Sequence, residues 1–179
     1  MDYRNFDSGL TFRGEEPSIY NISRFGGGKF NVKANRTKNG ELLAINSDAE
    51  VLFVSEISSE VSRCFSTDQT SRFFYDAVEK SGIKSYYVTP AIKKEIETED
   101  EQHMLLRLEI EVMEPVLVVA LGRKSEKMLL KVKDIYPGLR WFDVIPHPSF
   151  WLTFYANNEQ EYVNLLKDIK RKVDYKRCL

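Results

Sequence analysis

EPVLVVALGRKSEKML, from Glu114 to Leu129, sets an unbroken aliphatic run, Val116 to Ala120, before a Leu121-Gly122-Arg123 turn and a segment of helical period. The run is apolar at both alternating positions, as a strand covered on both faces requires. Met128, Leu129 and Val132 then share the inward side of a helix that begins near Ser125 and ends before Pro137-Gly138. Three more short runs have the strand character: VLFV at Val51–Val54, SYYV at Ser85–Val88 and WFDVI at Trp141–Ile145. Apart from Ser85 and Asp143 they too are apolar on both sides.

Helical periods fill the intervals. From Asp68, the residues Phe73, Phe74, Ala77 and Val78 form one stripe, with Gly82 at the C-cap position. Thr98 and Glu101 make a capping-box pattern before a helix with Leu105, Leu108 and Val112 on one face, which Pro115 stops. Near the C-terminus, Tyr162, Val163, Leu165, Leu166, Ile169 and Val173 form a buried stripe, leaving Lys167, Lys170 and Arg171 to solvent. Strand and helix thus alternate four times. This predicts an α/β fold, a three-layer α/β/α domain over residues 50–179 with a central four-stranded, mainly parallel sheet and right-handed crossovers. Residues 1–49 read as an N-terminal extension. Within it FNVKANRTKNGELLAI, Phe30 to Ile45, has an Asn39-Gly40 turn between two strand-like runs and predicts a β-hairpin, and Gly26 to Gly28 reads as a flexible entry loop.

Composition bounds the function. The chain has 179 residues, 42% hydrophobic and 30% charged, which suits one domain with a real core and excludes a fibrous or wholly disordered chain. Its 26 Lys and Arg against 27 Asp and Glu give a net charge of −1, so a nucleic-acid contact must rest on a local basic patch. Two cysteines, Cys64 and Cys178, cannot ligate a structural zinc or an iron–sulfur cluster, and no metal or other cofactor is expected. The longest aliphatic run is far below the roughly 20 residues of a spanning helix, and the N-terminus has no apolar signal core. A cytoplasmic protein is expected, with no membrane contact and the monomer favoured.

Ligands of a parallel sheet bind beyond the carboxyl ends of its strands. Four rim loops follow, beginning Ser55-Glu56-Ile57-Ser58-Ser59-Glu60, Thr89-Pro90-Ala91, Leu121-Gly122-Arg123 and Pro146-His147-Pro148-Ser149. His147, held between two prolines, is placed to donate to a developing oxyanion or simply to bond a neighbouring carbonyl. Glu56 is placed to orient a water or to sit as an exposed loop carboxylate. Phe65, near Arg63 and Cys64, stacks on a planar ligand or plugs the core. His103 lies on a charged helix face and reads as a surface residue.

In order and spacing these loops resemble the uracil-DNA glycosylase superfamily, over about Glu50 to Val173. VLFVSEISSE stands where the family has a strand and its water-activating motif, CFSTDQTSRFFYDAVEKSGI resembles the following loop and helix, YYVTPAIKKE the second strand and its exit, EPVLVVALGRKSEKML the third strand, Leu-Gly turn and helix, and IPHPSF the His-Pro-Ser motif. The resemblance implies Glu56 as the residue that positions water and His147 as the one that stabilises charge on the base O2. It implies a base pocket at Ser55, Ile57, Phe65 and Pro90, with Phe65 as the stacking aromatic. It further implies DNA as partner, through Ser149 and through Phe150 and Trp151 of the following FWLTFYANN, which also holds Leu152, Phe154 and Tyr155; these aromatics serve as a wedge or, equally, as a core or partner-binding patch. Arg123, Lys124, Lys127, Lys93 and Lys94 lie near two rim loops, where a phosphate track would run. The resemblance is nearest to the thermophile-type branch, and three departures are plain. The four cysteines that hold an iron–sulfur cluster in that branch are absent. Pro90 stands at the match to a base-reading asparagine and offers no donor. Ser55, Ile57, Ser58 and Ser59 replace the Gly-Pro-Gly character of the first motif.

Three functional readings follow from these residues. The first is a glycosylase that hydrolyses the bond of uracil or a related damaged or modified base flipped out of DNA. The second is a glycosylase-like fold that binds nucleic acid, a nucleotide or a protein without base release, which the altered first motif and Pro90 favour. The third is a hydrolase of free nucleosides or nucleotides, which would show little salt-dependent DNA affinity.

Overall fold

Val51, Leu52, Phe53 and Val54 are fully buried, and their side chains divide between two separate apolar clusters, one on each face of the sheet. That division is why the run has no wet face. The computed structural model describes residues 27–30, 32–36, 38–39, 42–57, 65, 68–93 and 98–179. Its strands are β1 (Gly27–Lys29), β2 (Val32–Arg36), β3 (Leu42–Ser47), β4 (Val51–Ile57), β5 (Tyr86–Ile92), β6 (Leu117–Leu121) and β7 (Asp143–Ile145). Its helices are α1 (Asp68–Ser81), α2 (Glu99–Met113), α3 (Arg123–Ile135), α4 (Pro148–Phe154) and α5 (Glu159–Arg177).

The main sheet has the order β1-β5-β4-β6-β7. Strand β4 lies parallel to both β5 and β6, and β7 parallel to β6, so the chain reverses its direction of travel across the sheet between β4 and β6. One apolar cluster joins Val51, Phe53, Val88, Val119 and Ile145 to Phe74, Trp151, Tyr162 and Ile169, placing α1, α4 and α5 on that face. The other joins Leu52, Val54, Tyr87 and Ala120 to Leu106, Ile110, Leu129 and Val132, placing α2 and α3 opposite. The three-layer α/β/α architecture follows, and no helix among the described residues is long and apolar enough to cross a membrane.

The sheet has five strands rather than four. The additional edge strand, β1, occupies a segment that reads as a glycine loop, and it pairs antiparallel to β5 from Gly27 opposite Val88 to Lys29 opposite Tyr86. A Cβ at Gly28 would lie 2.0 Å from the Tyr86 carbonyl oxygen, so the glycine permits a close approach rather than a loose loop. Gly26 lies outside the described residues. The predicted hairpin is present as β2 and β3, paired antiparallel in their own two-stranded sheet with a register shift at Asn35 and Arg36. Strand β7 is shorter than WFDVI, with Trp141 and Phe142 ahead of it.

Helix α2 turns a different face inward from the Leu105, Leu108, Val112 stripe. Gln102, Leu105, Leu106, Glu109, Ile110 and Met113 are buried, while Leu108 and Val112 are only half-buried. The two polar residues on that face explain the rotation. Gln102 exchanges two bonds with the Lys93 backbone, accepting from its N–H at 2.8 Å and donating to its carbonyl at 2.6 Å. Glu109 accepts from Thr89 Oγ1 at 2.7 Å and Tyr87 Oη at 3.2 Å, and its other oxygen lies 2.9 Å from Lys93 Nζ. Burial raises the Glu109 pKa, and the Lys93 ammonium with the two hydroxyls opposes that rise.

Lys93 is therefore not on a phosphate track: it is fully buried, and its ammonium also donates to the Pro90 carbonyl at 2.6 Å. Glu109→Ala leaves that ammonium without its carboxylate and is expected to cost about 3–5 kcal/mol. The Lys93→Met/Glu109→Leu pair recovers only part of the loss, because the Pro90 carbonyl and the Thr89 hydroxyl lose these partners, and urea unfolding midpoints of the two variants measure the difference.

Candidate functional site

Three parallel strands end together at one rim of the sheet. Strand β4 ends with Glu56 and Ile57, β6 is followed by Gly122, and β7 by Pro146 and His147. The Gly122 N–H donates to the Ile145 carbonyl at 2.9 Å, which ties the second exit to the third. On the other side Tyr162 Oη donates to the Pro146 carbonyl at 3.0 Å, fixing the last exit to α5. Ser125, buried in the first turns of α3, donates back to the Leu121 carbonyl at 3.2 Å.

Gly122 makes the convergence possible. Its φ of +90° is a backbone state that residues with a side chain rarely adopt, and a Cβ there would lie 2.9 Å from Glu56 Oε1 and 3.1 Å from His147 Cβ. The Gly122 α-carbon thus sits between the Glu56 carboxylate and the His147 β-carbon, with room for a hydrogen and not for a methyl group. Beside them opens a cavity of about 530 Å³, lined by Glu56, Gly122, Arg123, Glu126, Val144, Ile145, Pro146, His147 and Phe150. It sits at the carboxyl ends next to the point where the strand order reverses, the position where open α/β sheets hold ligands.

His147 is the N-cap of α4. Its Nδ1 accepts the Ser149 N–H at 3.2 Å and lies 2.7 Å from Ser149 Oγ. Because a backbone N–H can only donate, the neutral ring carries its proton on Nε2. Burial, and secondarily the charge of Lys124, pulls its pKa down to about 4. At neutral pH the ring is an uncharged N–H donor. Glu56 is 28% exposed, with Lys124 Nζ 3.9 Å from its Oε2. A carboxylate that can orient water, facing a neutral donor that can stabilise an oxyanion, is a hydrolytic arrangement.

The remaining predicted positions divide. Arg123 and Phe150 line the cavity with Glu56 and His147, and Lys124 and Lys127 are exposed on α3. Ser149 holds the imidazole. Phe65 is 2% exposed and packs on Phe74 with ring centroids 4.9 Å apart, while its ring lies 5.8 Å from that of His147. Ser55 is buried and its hydroxyl donates to the Thr89 carbonyl at 3.5 Å, so it faces the sheet and not the cavity. Pro90 is not in a loop: it is buried within β5, beyond the part of the strand that β1 covers, where a missing N–H is tolerated. Ile57 pairs with Ile92 at the ends of β4 and β5. Trp151 is a core residue rather than a DNA contact, with its indole N–H on the Asn158 carbonyl at 3.1 Å. Phe154 and Tyr155 are exposed beside Phe150, the first with its ring centroid 4.7 Å from that of Phe150. Lys94, Ser58, Ser59, Glu60, Arg63 and Cys64 lie outside the described residues.

Sequence reasoning placed Pro146 in a rim loop but passed over Glu126 and the cavity wall that Val144 and Ile145 form. A charged residue four positions after the Leu-Gly turn was the available signal for Glu126.

Residues 44–170 match the family model of the uracil DNA glycosylase superfamily. The match spans more than half of the chain, which therefore belongs to that superfamily. Among solved structures the chain is similar to wild-type SMUG2 of Pedobacter heparinus, with a TM-score of 0.54 and 14% sequence identity over 71% of this chain and 76% of the other. That likeness speaks for the fold. A search of curated proteins found no match.

Two outcomes test the site as a structure. Gly122→Ala is expected to lose about 1 kcal/mol or more from the backbone strain alone and to displace Glu56 or His147, visible in the His147 ring NMR signals. On unfolding, His147 returns to its ordinary pKa of 6.5, so between pH 6.5 and about 4 the unfolded chain takes up a proton that the folded one refuses. Stability should therefore fall as pH drops through that window, by on the order of 3 kcal/mol in full, and His147→Asn should flatten this part of the profile.

Proposed function

We propose that the protein is a DNA glycosylase that hydrolyses the N-glycosidic bond of uracil or a related damaged or modified base in a flipped-out nucleotide. The observation that carries this reading is the meeting of Glu56 and His147 across Gly122 in one cavity of about 530 Å³. Superfamily membership supports the reaction class, and the named relative's fold supports the arrangement of strands behind it.

In this mechanism the base enters the cavity between Phe150 and the Val144–Pro146 wall. As the bond from C1′ to the base nitrogen breaks, its electron pair moves into the base and charge gathers on O2. The Nε2–H of His147 donates to that oxygen without first changing protonation state. Glu56 accepts a hydrogen bond from a water and directs its oxygen to C1′, then takes up the proton the water loses. Phe65, buried against Phe74 and absent from the cavity lining, backs the imidazole from the core side rather than stacking on the base. Exposed Phe154 and Tyr155, beside Phe150, stand where an apolar wedge fills the space the base vacates, and Lys124 and Lys127 sit where phosphates pass.

Oligonucleotides carrying uracil, hydroxymethyluracil, hypoxanthine or xanthine, scored for alkali-labile sites, test the reading. His147→Ala and Glu56→Gln are each expected to slow release by about 100-fold or more. Tight, salt-sensitive binding of DNA without release of any base would instead support a binding protein on a glycosylase fold, the reading to which Pro90 and the inward-turned Ser55 point.

A further inference from the structure

Arg123 and Glu126 line the same cavity as Glu56 and His147, yet the scheme above gives them no part. They stand three residues apart at the start of α3 and so lie on one side of that helix. Glu126 is half-buried, and among the described residues its carboxylate makes no hydrogen bond or ion pair. A half-exposed carboxylate on a cavity wall with no protein donor is free to accept from a ligand.

Among the described residues that line it, no single side chain carries an acceptor and a free donor side by side. An asparagine presents an acceptor and a donor side by side, which is how one side chain reads a base edge. Neither Pro90, buried in β5, nor Ser55, bonded to the Thr89 carbonyl, offers that pair. The backing wall of Val144, Ile145, Pro146 and Phe150 is apolar. Glu126 accepts only and Arg123 donates only, so together they supply the two halves from two side chains.

We propose that Arg123 and Glu126 read the bound base: Glu126 accepts from a ring N–H and Arg123 donates to the adjacent carbonyl oxygen. The ligand class is a base with a lactam or imide edge, such as uracil, hypoxanthine or xanthine. Cytosine and adenine present a lone pair at that ring nitrogen, which opposes the carboxylate and leaves a half-buried polar group unpaired. This inference rests on the cavity being the base pocket.

The test is therefore made by binding, without turnover. Affinities are measured for oligonucleotides that carry one 2′-fluorinated, cleavage-resistant deoxyuridine or the matching deoxycytidine. The wild-type protein is expected to favour uracil by about 10-fold or more, and Glu126→Ala to reduce the preference below about 3-fold. Glu126→Gln, whose amide can also donate, gains affinity for the cytosine strand. Arg123→Ala weakens binding of the uracil strand more than that of the cytosine strand. Unchanged melting temperatures show that the variants fold. A preference that survives Glu126→Ala, or a wild-type protein that does not distinguish the two bases, overturns the proposal. Base release from cleavable strands is scored separately, so loss of catalysis and loss of reading are told apart.

Discussion

Strand β4 is the part on which the other elements depend. It has parallel neighbours on both edges and helices over both faces, so each of its first four side chains must be apolar and each edge must find a partner. The geometry then leaves only its carboxyl end free, and that end carries Glu56. Helix α1, which follows β4, packs on one face of the sheet and α3, which follows β6, on the other, so the two exits part at this rim and leave the space in which the cavity forms.

Within that space the limiting dimension is set by backbone, not by side chains. Gly122 lets β6 leave the sheet so close to β4 and β7 that Glu56 and His147 share one wall. The same economy governs the imidazole. Nδ1 closes a helix N-terminus, so the ring's orientation, its tautomer and its neutrality all come from one local contact together with burial. A histidine held in this way donates at neutral pH without waiting on a proton.

The buried Lys93–Glu109 pair has a corresponding task at β5. Two charges, two hydroxyls and an amide are spent on joining the strand's exit to α2, where apolar contacts alone would leave the carbonyls of Pro90 and Lys93 unpaired. Stiffening this exit keeps β5 beside β4 to its last residue.

How much of this could be read from residues alone depends on the range of the interaction. The strand and helix alternation, the pairing of β2 with β3, the Thr98 cap and the rim positions of Glu56 and His147 follow from period, capping chemistry and turn residues, which act within a few residues of each other, although Gly40 itself lies outside the described residues. The outcomes that differed are contacts between distant segments. Gly27 and Gly28 look like a loop until Tyr86 comes beside them, and Lys93 looks like a surface cation until Glu109 turns inward to meet it. Trp151 belongs to the core only because α5 carries Tyr162 against it. The sequence by itself determined the layers and which residues reach the rim. Only the tertiary structure decided which of them face one cavity, because facing is a property of three strand ends brought together and not of any one of them.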